Sequence, residues 1–151
     1  MPSRPEPFRA SRRDRPPRSG AAPSRRSSAA VSEPLRTFLD RYADAYASLD
    51  VAALAEMYAM PCLFVGSGET ASFESTRELL RHLGYVAERR REEGVGAAVA
   101  TRVQTAAEGG GQTVVIVHWI LERSGASPLR FRSLYHLVHA DGTWRIAVSA
   151  S

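Results

Sequence analysis

"YHLVHADGTWRIAV", residues 135 to 148, carries two of the four histidines and one of the two tryptophans. It reads as two strands around a tight Asp141-Gly142 turn. Trp144, Ile146 and Val148 alternate with Arg145, Ala147 and Ser149, so the apolar set is expected to face inward. Two registers compete. A type I′ turn pairs Ala140 with Thr143 and His139 with Trp144, which places Tyr135, Leu137 and His139 on the inner face. A type I turn with a glycine bulge instead pairs Val138 with Trp144, His136 with Ile146 and Leu134 with Val148. The type I form needs a positive φ at Gly142 alone, whereas type I′ demands it of Asp141 as well. The bulged register is therefore preferred, which predicts His136 inward and His139 solvated.

Outward from this hairpin, the segments 96–106, 112–123 and 130–140 also read as strands, divided by "GGG" and "SGASP". These connections are short enough for an antiparallel meander. Upstream, Ser32 can cap a helix with Pro34 in its first turn, and Leu35, Phe38, Leu39, Tyr42, Tyr46 and Leu49 follow one face. Asp50 can cap a second short helix, "VAALAEMYA", ended by Pro61. "CLFV" and "TASF" are strands around the "GSGE" turn. Ser75 and Glu78 form a capping box for a third helix through Leu79, Leu83 and Val86, with Tyr85 expected to pack near its apolar face. Arg89, Arg90 and Arg91 near its C-terminal end suit the helix dipole and, flanked by Glu88, Glu92 and Glu93, read as a solvated face. Three helices segregated from a mainly antiparallel sheet make an α+β domain over 32–151.

The formal net charge of +4 divides unevenly. Residues 1 to 31 hold eight Arg against Glu6 and Asp14, whereas residues 32 to 151 hold 12 Arg against 14 acids. The Arg-, Pro- and Ser-rich stretch 1–31 has too little apolar surface to repay ordering and is expected to be a disordered tail. A dispensable extension is preferred there over a nucleic-acid contact, which would act through the tail alone. The one cysteine, Cys62, cannot form an internal disulfide, so a reducing, cytoplasmic compartment is expected. No apolar run approaches the length that spans a bilayer. The histidines lack short ligand spacing, and no glycine-rich loop precedes a helix, so neither a metal nor a cofactor is expected.

"YADAYASLDVAALAEMYA", "CLFVGSGETASFESTRELLRHL" and the terminal "HADGTWRIAV", with their order and spacing, resemble the nuclear transport factor 2-like superfamily in its SnoaL-like branch, over about residues 33 to 150. The resemblance implies a cone: a curved antiparallel sheet wrapped on the helices, a cavity at its wide end, and frequent homodimers through the sheet. The apolar strand 114–121, with His118 inside it, fits such an interface.

The superfamily includes ketosteroid isomerase, polyketide cyclases, dehydratases and non-catalytic accessory proteins, so fold alone does not choose a function. The isomerase's first-helix tyrosine matches Tyr42. Its carboxylate base falls at Gly66, which has no side chain, and its protonated carboxyl donor at His136. Isomerase chemistry of that kind is excluded. The preferred expectation is a cavity for a small apolar organic molecule, bordered by Tyr46, Tyr58, Trp119 and Trp144. One alternative is a cyclase, isomerase or hydratase with His136 as base and Tyr42 holding a developing enolate oxygen. The other is a homodimerising module without chemistry.

Overall fold

A computed structural model of the chain describes residues 33–151; the expected tail over 1–31 and the Ser32 cap lie outside the described residues. The elements run α1 (Leu35–Ala47), α2 (Val51–Glu56), β1 (Tyr58–Val65), β2 (Thr70–Phe73), α3 (Thr76–Glu92), β3 (Val95–Gly109), β4 (Gln112–Arg123), β5 (Ala126–Ala140) and β6 (Thr143–Ala150). The six strands form one curved, unclosed sheet in the order β2-β1-β6-β5-β4-β3. All neighbours are antiparallel except β1 and β6, which run parallel. The fold is α+β, as the element order implies.

The helices start and stop for local reasons. Pro34 occupies the N-cap of α1 without a side-chain cap, and its missing N–H costs nothing there. Glu33 instead holds this end of the helix down, accepting from Arg41 on α1 and from the Thr143 hydroxyl at the start of β6. At α2, the Ala53 N–H donates to the Asp50 carboxylate at 3.1 Å. This helix is shorter than the sequence suggested, because Tyr58 already begins β1 and Pro61 lies inside that strand rather than closing a helix. The pairing of β1 with β6 shifts register between Tyr58 and Leu63, around that proline, which has no N–H to give a ladder. At α3 the Glu78 N–H donates to Ser75 Oγ at 3.3 Å, while the Glu78 carboxylate reaches back to the Glu74 N–H at 3.1 Å. β5 likewise starts earlier than expected and contains Pro128. Pairing with β6 begins only at Leu134, so Pro128 sits where β5 has an open side.

The β5–β6 turn corrects the preferred register. Ala140 pairs with Thr143 and His139 with Trp144, and φ is 53° at Asp141 and 77° at Gly142. This is the two-residue type I′ turn, whose twist matches that of the flanking strands, and aspartate tolerates the left-handed region better than most residues. A bulge does occur, but further along. Leu137 pairs with Ile146 and His136 with Val148, leaving Ala147 as the extra residue. Past it the phase of β6 reverses: Ser149 is buried, and Val148 shares the outer face with its partner His136.

The core lies between the helices and the concave face. α1 packs on β3 and β6, and α3 on α2, β2 and β3. Phe38 and Leu39 of α1, Leu79 and Leu83 of α3, and Val115, Val117, Leu137 and Ile146 of the sheet form one cluster. On β4, buried Val115, Val117, Trp119 and Leu121 alternate with half-buried Val114, Ile116, His118 and Ile120. The alternation lies in burial rather than in polarity, which is why this strand reads as continuously apolar. Among the described residues no helix is long and apolar enough to cross a membrane.

Candidate functional site

Where α1 and α3 diverge over the concave face they leave a chamber of about 390 Å³, at the lower end of the range for small-molecule sites. Its centre is a set of tyrosines from three elements. The hydroxyls of Tyr42 (α1) and Tyr58 (β1) lie 3.3 Å apart. The Tyr135 ring (β5) stands edge-on to Tyr42 with centroids 5.5 Å apart, and Trp119 (β4) lies 5.9 Å from Tyr42 on another side. Burial raises the pKa of all three phenols, and each is pushed further by a neighbouring phenol. They therefore stay neutral and act as hydrogen-bond donors and acceptors, not as phenolates.

Serine hydroxyls complete the polar part. Ser149 lies close enough to the Tyr58 hydroxyl, and Ser133 to that of Tyr135, to oppose the rise in those phenols' pKa. The Ser133 and Ser151 hydroxyls lie 2.8 Å apart, and all three serines border the chamber. Trp119 Nε1 is buried without a hydrogen-bond partner. It is close enough to the Tyr135 oxygen to oppose the rise in that phenol's pKa, but the geometry does not make a bond, and an unmade bond of this kind is uncommon in a folded interior.

Two more groups come from α3. His82 sits against Phe64 and Phe73, with ring centroids 5.5 and 4.9 Å away. Burial lowers its pKa, only partly opposed by Glu69, so the imidazole is neutral near pH 7. Arg90 also borders the chamber. Burial works against its charge, but Tyr46 and Glu93 outweigh that and hold the guanidinium charged. Its Nη1–H donates to Glu93 at 2.7 Å.

Of the residues singled out from sequence, Tyr42, Tyr46, Tyr58 and Trp119 border this chamber together. Trp144 does not. It lies beside His139, ring centroids 5.1 Å apart, and borders a separate cleft with Arg41, Glu56 and Arg145. His136 is corrected most plainly. Its neighbours Tyr135 and Leu137 are buried inward, so its own side chain stands on the outer face, where Nε2 lies 2.7 Å from Gln112 Oε1. It does not meet Tyr42. His139, expected in solvent, has its Nε2 buried. Gly66 closes the β1–β2 turn, its N–H donating to Glu69 O at 2.8 Å, and Tyr85, expected to pack, is 64% exposed.

His82, Arg90, Tyr135 and the three serines escaped the sequence reading. For His82 and Arg90 a signal existed, since 79, 82, 83, 86, 87 and 90 form one stripe of α3 and both belong to it. Ser149 and Ser151 had none, because the bulge at Ala147 alone turns them inward. Among the described residues no group of three or more His, Cys, Asp or Glu side chains could hold a metal ion.

Solved structures share this architecture at low sequence identity. A singly substituted form of Rv3472, a protein of unknown function from Mycobacterium tuberculosis, superposes with a TM-score of 0.62 at 17% identity over 76% of this chain and 66% of that one, just under two thirds of its length. An NTF2-like protein with a cystatin-like fold from Novosphingobium aromaticivorans gives 0.60 at 16% identity, over 76% of each chain. An NTF-2 like protein of unknown function from Shewanella oneidensis MR-1 gives 0.62 at 16% identity, over 76% of this chain and 93% of that one. No curated protein sequence matches. The family described as NTF2-like protein (DUF6841) matches residues 32–151, a span that contains the whole chamber. This chain belongs to that NTF2-like family.

Proposed function

We propose that this protein binds a small, mostly apolar organic molecule in the chamber between α1, α3 and the concave sheet, in the manner expected of the SnoaL-like branch. The observation that carries the reading is the composition of the chamber wall. Leu54, Leu83, Val86, Phe131 and Phe64 supply apolar surface, while neutral phenols and serine hydroxyls come to it from different elements. A few placed polar groups in an apolar hollow are what orient a ligand.

The test is thermal stability in the presence of a panel of apolar cyclic compounds. A binder present at a hundred times its Kd adds about 2.7 kcal/mol, which raises Tm measurably. Ala98→Phe, which fills the chamber, should abolish the shift while the variant still unfolds cooperatively. No shift across the panel, or an equal shift in Ala98→Phe, overturns the proposal.

A second reading, an isomerase- or lyase-type enzyme, is favoured by one observation, the neutral imidazole of His82 at the chamber wall. In that reading His82 rather than His136 accepts the proton and a buried phenol stabilises the developing oxyanion. Turnover that survives His82→Gln removes it. We also place a second copy of the chain against the outer sheet face, where Val114, Ile116, Ile120 and Leu134 are partly exposed with no helix over them.

A further inference from the structure

Arg90 is the one charged side chain on the chamber wall among the described residues, and no Asp or Glu side chain among them borders the chamber. Its guanidinium has five N–H donors. Glu93 takes one through Nη1 and the Tyr46 phenol lies close by, so donors remain for a further partner. Glu93 itself stands outside the wall, in solvent. Tyr46 links Arg90 to the interior: its ring stacks on Tyr42 at 6.4 Å, and Tyr42 contacts Trp119. Arg90, which can only donate, thus faces a hollow whose wall has no acidic side chain. The other polar groups there, neutral phenols, serine hydroxyls and a neutral imidazole, cannot balance an added cation.

A neutral apolar ligand would leave this arrangement unused. We propose that the ligand is an organic carboxylate of one or two rings: Arg90 takes the carboxylate at the α3 side, and the rings lie against Leu83, Phe131 and Trp119. A charged hydrogen bond in a partly desolvated wall outweighs the exposed pair that Arg90 keeps with Glu93. This inference deepens the ligand-site reading and depends on it.

The test is calorimetric titration of the full chain with naphthalene-2-carboxylate and with its uncharged counterpart naphthalene-2-carboxamide. The carboxylate is expected to bind at least about tenfold more tightly, the low end for a hydrogen bond to a charged group. Arg90→Gln should erase that preference by weakening the carboxylate far more than the carboxamide, and Arg90→Lys should retain part of it. Glu93→Gln, which removes the competing carboxylate, should strengthen carboxylate binding only. Equal affinities in the native chain, or a preference that persists in Arg90→Gln, overturn the carboxylate assignment and leave the chamber standing as a neutral ligand site. Failure of both compounds to bind overturns the assignment together with the ligand-site reading.

Discussion

The Tyr42 hydroxyl is the polar group on which the interior of this protein turns, because it touches Tyr58 and its ring faces Tyr135 at the chamber wall. Tyr42→Phe removes it without changing ring packing. Tyr58 still has Ser149 beside it and Tyr135 has Ser133, so the expected cost is about 0.5–1.5 kcal/mol, the net worth of one hydrogen bond, read from urea unfolding. His82 predicts a pH effect of definite sign. Its folded pKa is lowered by burial and lies below the unfolded value of about 6.5, so the unfolded chain binds the proton more readily. Its contribution is complete above about pH 6.5 and is lost as pH falls through the lower folded value. Tm should therefore drop as the pH is taken from neutral to mildly acid, and His82→Gln should flatten that slope. An unchanged slope in the variant means another group titrates. Glu33 is also held below its ordinary range, chiefly by Arg41, but its loss comes at more acid pH.

At the scale of elements, turns and caps carry the testable consequences. Gly142 at φ 77° completes the type I′ turn, and alanine in the left-handed region costs about 1–2 kcal/mol. Gly142→Ala should lower the denaturant midpoint accordingly with no change in m. Asp50→Ala should lose about 1 kcal/mol through the α2 cap, measured the same way. The caps at Asp50 and Ser75 were legible because they depend on residues three positions apart in sequence. The register of β5 on β6 was not. Asp-Gly permits both turns, and the choice rests on how two twisted strands pack, with the bulge at Ala147 chosen by the sheet and not by the dipeptide. The parallel β1–β6 pair was equally invisible, because five intervening elements separate those strands.

For the whole molecule the outer face of the sheet sets the expectation. Ile116 stands in the middle of β4 with its side chain away from the helices, near Leu134, which is 38% exposed. If two copies meet there, Ile116→Arg should convert a dimer into a folded monomer, measured by sedimentation equilibrium alongside circular dichroism. A native chain that sediments as a monomer, or a variant that keeps the dimer mass, ends that proposal. The partly exposed outer row reads in sequence like a core row because both rows are apolar.

By itself the sequence determined what depends on near neighbours and on period: three helices, their caps, the strand runs, the α+β class and the apolar stripes that bring Tyr42, Tyr46, Tyr58 and Trp119 to one interior. Only the tertiary structure decided which way β5 and β6 face. A side chain on a strand alternates with period two, so one inserted residue sends every later one to the opposite side. That single step put Ser149 into the chamber and Val148 outside it. The turn register, set by strand pairing, carried His136 out to Gln112.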